Sequence, residues 1–235
     1  MRTFDFDAEY GAAYERTARQ MAPARDTSYL LVALLLRHAL PERAKVLVVG
    51  TGTGKELAHL AEVGADWSFT GVETAAQMVQ LTQEKMRQSG MEARAEVHEG
   101  PIEVLPREQV FDAATLLYVL HFADDDAKRL SMLQELAARL KPGGLLVVGQ
   151  HQAIDEARYS MLFQAAWEEF MDRQGMTAEA KATFLERCRT GLHPITDDGL
   201  ISLLTRAGFE RPQPFFRALF QAFWLTRTRP DGGEV

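Results

Sequence analysis

Apolar residues follow two rhythms along this chain. Short β-branched runs alternate with longer stretches in which apolar positions recur every three or four residues. The runs at 45–50, Trp67 to Glu73, Ala93 to His98, Phe111 to Leu117 and Leu145 to Gly149 read as strands. Between them, Glu56 to Val63, Ala75 to Gln88 and Asp125 to Leu140 read as helices, and Lys141-Pro142-Gly143-Gly144 as a turn. Strand–helix alternation predicts parallel strands joined by right-handed crossovers. Two helices, 4–19 and 28–39, come first, and Tyr10, Tyr14 and Ala18 share one face of the earlier one. After Gln150 the rhythm changes. Helices are expected at Ala153 to Arg173, Thr177 to Arg189 and Asp197 to Ala207, then two closing strands, Phe209 to Phe216 and Phe220 to Thr226. The short link between those strands makes them an antiparallel hairpin.

Composition narrows the possibilities. The 235 residues are enough for one large α/β domain, with a hydrophobic fraction of 46% and a charged fraction of 25%. A net charge of −7 without a basic block argues against a large nucleic-acid footprint. The single cysteine, Cys188, excludes an intrachain disulfide and a multi-cysteine zinc site, and reads as a small core residue. The longest apolar run, Tyr29 to Leu36, is too short to cross a bilayer, and the first residues lack a signal-peptide apolar segment. A cytoplasmic protein with no membrane partner is expected.

The chemistry is concentrated in Val46-Leu47-Val48-Val49-Gly50-Thr51-Gly52-Thr53-Gly54-Lys55-Glu56. A strand, a turn with three alternate glycines and a helix form the opening of a nucleotide-type site. Glycines allow a tight turn and a ligand lying against the backbone, and free N–H groups of the next helix face that ligand. An ATPase phosphate loop, G-x-x-x-x-G-K-[ST], fails at Val49 and Glu56. The dinucleotide pattern G-x-G-x-x-G fits Gly50 and Gly52 but meets Lys55 in place of its third small residue. A plain glycine turn stays open. Glu73 ends the second strand, 23 positions after Gly50, where a carboxylate accepts from ribose hydroxyls or caps the next helix.

The G-x-G-x-G loop resembles motif I of the class I S-adenosylmethionine (SAM)-dependent methyltransferases. Phe111-Asp112 through Leu117-Tyr118-Val119-Leu120-His121-Phe122, and Leu140-Lys141-Pro142-Gly143-Gly144-Leu145, resemble later conserved runs of that family. Glu99-Gly100-Pro101-Ile102 lies where the family carries its adenine-flanking segment. The C-terminal helices, Thr196-Asp197-Asp198 and Ala207-Gly208-Phe209 look more narrowly like the group containing the tRNA-uridine carboxymethyltransferases and their relatives. The resemblance implies a Rossmann-like α/β fold. Its seven-stranded, mostly parallel sheet would have an antiparallel last strand and helices on both faces. Residues 1–40 would form a lid, 41–150 the cofactor core, 151–195 a substrate cover, and 196–235 the final helix and strands.

The resemblance also implies a site. Gly50, Thr51, Gly52, Thr53 and Gly54 would wrap the methionine and ribose of SAM, and Glu73 would hold the ribose. Thr74 and Met78 would flank the adenine. Gly100, Pro101 and Ile102 would form its far wall, and Leu117 and Tyr118 would border the sulfonium. Four positions depart from pattern. Val48 replaces an acid that helps hold the cofactor's amino group, and Pro101 one that meets the adenine. Arg25 replaces a tyrosine, and Ala182 stands where the carboxylated cofactor needs an arginine. The implied activity is methyl transfer to an oxygen or nitrogen of a small organic molecule. A tRNA-modifying enzyme, with Arg206, Arg211, Arg217, Arg227 and Arg229 as its basic surface, and a non-catalytic SAM-binding protein are the alternatives.

His121 and His151 are the candidate bases, with His121 packed on Phe122 as its structural alternative. His193 reads as structural or substrate-lining. Asp124-Asp125-Asp126 reads as helix capping in preference to a metal site. Phe163, Trp167 and Phe170 form a stripe that belongs to the core or lines an apolar pocket. Phe215, Phe216, Phe220 and Phe223 fit either a core or a homodimer contact.

Overall fold

The computed structural model describes residues 11–230. The elements are α1 (Gly11–Met21), α2 (Arg25–Ala39), β1 (Lys45–Val49), α3 (Lys55–Val63), β2 (Ser68–Glu73), α4 (Ala76–Gln88), β3 (Ala95–Glu99) and β4 (Phe111–Leu117). They continue with α5 (Asp126–Ala137), β5 (Leu140–His151), α6 (Ala157–Arg173), α7 (Ala178–Gly191), α8 (Asp197–Arg206), β6 (Gln213–Ala218) and β7 (Gln221–Arg227). Tyr10 and the first half of the 4–19 helix lie outside the described residues.

The seven strands form one sheet in the order β3-β2-β1-β4-β5-β7-β6. β1 to β5 are parallel, and β7 runs antiparallel between β5 and β6. β1 is flanked on both sides: Val48 pairs with Gly71 of β2 and with Thr115 of β4. A central parallel strand is covered on both faces, which is why Val46–Val49 is apolar without alternation.

The core has two main halves, one on each face of the sheet. On one, Leu133 and Leu136 of α5 and Leu200 and Leu203 of α8 pack against Leu47, Leu116 and Val148. On the other, Val32 and Leu36 of α2 and Leu57 and Leu60 of α3 pack against Val46, Val48 and Val147. A third, smaller cluster holds the cover. Trp167 and Met171 of α6, Met176 and Phe220 pack with Met21, Phe184 and Cys188. The Trp167 indole N–H donates to the Met21 carbonyl at 2.6 Å, which ties α6 to α1. Burial raises the Cys188 thiol to about 12, consistent with its place as a packed side chain.

Several boundaries differ from expectation for physical reasons. Residues 141–144 do not end the strand. Phe111 pairs with Leu140 and Ala113 with Leu145, so β5 carries an irregularity that absorbs the extra residues, and positive-φ Gly143 supplies the bend. α5 stops at Ala137 accordingly. Phe209 lies outside β6, fully buried, in an isolated bridge to Thr228. The second helix begins at Arg25, three residues before the apolar pattern announces it. Asp125 caps α5 by accepting from the Lys128 N–H at 2.7 Å, and Asp124 pairs with the Lys128 ammonium. Among the described residues no group of three metal-ligating side chains is assembled.

Candidate functional site

The parallel strands point their carboxyl ends at one crevice, where open α/β sheets bind ligands. There a cavity of about 860 Å³ runs from the glycine loop to the cover helices.

The glycine loop forms its floor. The Gly50 and Thr51 N–H groups donate to the Val72 carbonyl at 2.8 and 3.3 Å, holding the loop against β2. The Thr82 hydroxyl sits 3.0 Å from Thr51 Oγ1 and 2.8 Å from the Gly52 carbonyl. Gly50 has φ +78° and its missing Cβ would lie 2.3 Å from Val119. Gly52 is different. At φ +54°, a Cβ there would meet nothing within 4 Å, so it would project into open space at the cavity wall. Gly50, Thr51, Gly52 and Thr53 line the cavity. Gly54 does not. It caps α3, and its Cα hydrogen side faces Thr82 and Lys85 of α4 within 3.2 Å of a Cβ, so its role is helix packing. The structure therefore brings four of the five loop residues to the cavity.

Glu73 is oriented by backbone. Its carboxylate accepts from the Gly52 N–H at 2.9 Å and the Ala75 N–H at 3.0 Å, which fixes it at the rim. Thr74, Met78, Gly100, Pro101 and Ile102 continue the same wall, with Met78 and Ile102 buried. Leu117 and Tyr118 close the end of β4. Tyr118 holds φ 61°, a conformation that side-chain-bearing residues rarely adopt. Its N–H donates to the Gly149 carbonyl at 2.6 Å, and its ring meets Tyr29 and Phe223 edge-on. β4 and β5 thus clamp this strained residue at the junction of the cavity's two halves.

The two histidines divide their roles. His121 is 5% exposed, and its Nδ1 accepts the His151 backbone N–H at 3.0 Å. That bond puts the ring proton on Nε2. Burial, with His151 and Arg129 nearby, pushes its pKa down to about 3. A ring whose basic nitrogen already accepts a hydrogen bond is poorly placed to take a proton, which weighs against the expectation of His121 as a base. It is neutral, and its carbonyl also accepts the His193 N–H at 2.7 Å. The His193 carbonyl in turn accepts from Arg129 at 2.6 Å. His151 ends β5. Its ring stacks on Phe220 at 5.1 Å and lies 5.2 Å from Trp167, and burial lowers its pKa to about 4. Its ring nitrogens make no hydrogen bond among the described residues, and it lines the cavity. Of the two rings at the cavity, His151 is the one that keeps an uncommitted basic nitrogen.

Sequence reasoning missed the polar side chains supplied from outside the strands. Arg25 was visible only as a departure from a pattern. It is 7% exposed, lines the cavity, pairs with Glu15 at 3.1 Å, donates to the Tyr29 hydroxyl at 3.1 Å and lies over the Tyr14 and Tyr29 rings. Glu15 also accepts from the Thr53 hydroxyl, and Asp26 from Lys55, so α1 and α2 are tied to the glycine loop. An arginine opening an otherwise apolar helix was the available signal. Glu56, buried at the cavity wall, gave no signal beyond a helix-start acid. On the acceptor side, Phe122, Trp167, Phe184, Leu192 and Gln221 line the cavity, with Arg187 of α7. Of the aromatic stripe, only Trp167 reaches the cavity.

A cavity open above Gly52, a tethered carboxylate at the end of β2 and this sheet order fit an adenosyl cofactor, and they define a class I SAM-dependent methyltransferase fold. Residues 46–144 match the family described as a methyltransferase domain. The match covers the strand–helix core that carries the glycine loop, Glu73 and the end of β4, and it supports SAM as the cofactor. The chain is 23% identical over 218 residues to a carboxy-S-adenosyl-L-methionine synthase of Campylobacter lari, covering 92% of this chain and 91% of that one. Among solved structures, a SAM-dependent methyltransferase of Methanosarcina mazei superposes with a TM-score of 0.62 at 20% identity, covering 83% of this chain and 97% of that one. The apo SAM-dependent methyltransferase SibL gives 0.64 at 16% identity over 88% of this chain, which spans only 55% of SibL. These structural likenesses establish the fold.

Proposed function

We propose that this protein transfers a methyl group from SAM to an oxygen or nitrogen of a small organic acceptor. The observation that carries this reading is the continuation of the cavity beyond the cofactor loops. Past Tyr118 it is walled by His151, Trp167, Phe184, Leu192 and Gln221, an apolar and aromatic chamber with a few polar groups. Bound at the glycine loop and Glu73, SAM supplies a methyl group on a positively charged sulfur, already activated for displacement.

The chain's own contribution is placement and proton handling. Alignment of a nucleophile with an activated methyl is worth several kcal/mol of barrier. Phe184 and Trp167 fix the plane of an acceptor, and α1, α6 and α7 exclude water from it. His151, neutral at pH 7, takes the proton of an O–H or N–H acceptor. His121 holds the end of β5 through its bond to the His151 backbone. The partner is a small molecule in the cytoplasm. The basic residues named for RNA give weak support to the alternative, because Arg217 is paired with Asp197 at 2.7 Å. Two chains pairing along the edge of β6 is a further expectation, tested by sedimentation.

The test is release of S-adenosylhomocysteine from SAM in the presence of panels of phenols, amines and carboxylic acids. Turnover that depends on one class supports the reading. Cofactor binding with no turnover on any panel, or turnover only on RNA, sinks it.

The end-to-end similarity to carboxy-SAM synthases favours a second reading, in which the cofactor itself is modified. The position assigned to the arginine of carboxylated-cofactor proteins, Ala182, is exposed and does not line the cavity, whereas Arg187 of the same helix does. Mass spectrometry of SAM after incubation with small carboxylic acids separates the readings: a carboxylated cofactor would replace the methyl-transfer proposal.

A further inference from the structure

The amino-acid head of SAM carries an ammonium group, and a charge taken from water into a cavity needs an opposite charge or several hydrogen-bond acceptors. Val48, at the carboxyl half of β1, is fully buried in the apolar core and offers neither. Four carboxylates line the cavity: Glu56, Glu73, Glu103 and Glu179. Glu103 and Glu179 are exposed, and Glu73 is engaged by the Gly52 and Ala75 N–H groups.

Glu56 stands apart. It sits in the first turn of α3, directly after the glycine loop, and is 5% exposed. Its Oε1 is the only buried carboxylate oxygen without a hydrogen-bond partner among the described residues. Burial drives its pKa up to about 7 against the opposing pull of Thr115 and Arg25. Thr115 is the β4 partner of Val48, so this carboxylate lies over the stretch of sheet where β1 supplies no polar group. A buried, under-satisfied carboxylate costs stability and persists where something repays it. Arg25, at the same end of the cavity, already carries Glu15, and Glu56 Oε1 is left without a hydrogen-bond partner.

We propose that Glu56 binds the ammonium group of the cofactor's amino-acid head, filling from the first turn of α3 the role that β1 leaves vacant at Val48. The proposal rests on SAM being the cofactor. Glu56 then discriminates cofactors by their amino-acid head, and a nucleoside thioether lacking that head gains nothing from it.

The experiment is calorimetric titration of the wild-type protein, Glu56→Gln and Glu56→Asp with S-adenosylhomocysteine and with 5′-methylthioadenosine, which lacks the head. The expected result is a loss of about 10- to 100-fold in S-adenosylhomocysteine affinity for Glu56→Gln, of the size of a charged hydrogen bond, with methylthioadenosine binding unchanged. Glu56→Asp, which keeps the charge, retains part of the preference. Unchanged S-adenosylhomocysteine affinity in Glu56→Gln overturns the proposal, as does an equal loss for both ligands, which marks a packing role. A wild-type protein that binds neither ligand removes the cofactor assignment itself, a result distinct from either.

Discussion

The two halves of the cavity are built differently. The cofactor half is made of backbone and strand ends: the glycine loop, Glu73 held by two N–H groups, and the Gly100–Ile102 wall. The acceptor half is made of side chains from separate helices: Trp167 of α6, Phe184 and Arg187 of α7, with His151 and Gln221 at the ends of β5 and β7. Backbone geometry leaves a local sequence trace, because only glycine tolerates Gly50 and Gly52 conformations cheaply. Side chains converging from distant helices leave none. The lesson is that the half built from backbone is legible in the sequence and the half built from converging side chains is not.

The sharpest break in that comparison is at Gly52. Gly52→Val fills the open space over the loop and strains a φ of +54°, and should reduce S-adenosylhomocysteine affinity by about 1,000-fold or more while the protein stays folded. Calorimetry with a circular-dichroism control reads this, and near-native affinity would remove the loop from the site.

The next effect is on stability and its pH dependence. The folded pKa of Glu56 is about 7, above its ordinary carboxylate value. A raised carboxylate pKa gives stability that is present below the unfolded pKa and lost as pH rises toward the folded one. Glu56→Gln should therefore be more stable than wild type at pH 8, by up to about 3 kcal/mol, with the difference vanishing near pH 4. Thermal melts across that range read it; a constant difference would show that burial does not govern this group. Gained stability with lost cofactor affinity would place Glu56 among sites where function is held against stability.

In the acceptor half, His151→Asn should lower kcat by about 100-fold with cofactor affinity unchanged, the usual size for a lost general base. His121→Asn should lower it less, because it acts through position. Equal or reversed losses would restore His121 as the base. Both histidines are neutral when folded, with pKa values near 3 and 4. Their depressed values mean that stability present above about pH 6.5 is lost as pH falls, by about 1.4 kcal/mol per pH unit per histidine. The two halves thus tilt stability in opposite directions, Glu56 toward acid and the histidines toward base.

The smallest expected effect is at the rim. Arg187→Met should raise KM for a carboxylate-bearing acceptor by about tenfold and leave a neutral acceptor unaffected, as for one exposed ion pair or hydrogen bond. A parallel change for both acceptors would make Arg187 a packing residue of α7.

The strand–helix order, the glycine loop, Glu73 and the reach of Met78 and Ile102 into one wall were legible because each depends on local periodicity or on a turn that one residue type permits. The irregularity in β5 was not, because Lys141–Gly144 reads locally as a turn and only the pairing of Leu140 with Phe111 keeps it in the sheet. His121 shows the same limit. A histidine after β4 does line the cavity, but whether its basic nitrogen is free depends on a partner 30 positions away. Arg25 and Glu56 went the same way, since a charge reads as solvated until its burial is known. By itself the sequence determined the class of fold and the cofactor half, through short-range steric and periodic constraints. Only tertiary structure decided which histidine can take a proton, which carboxylate lies buried without a partner, and what walls the acceptor chamber. Protonation and desolvation are set by neighbours that the chain brings together from far apart.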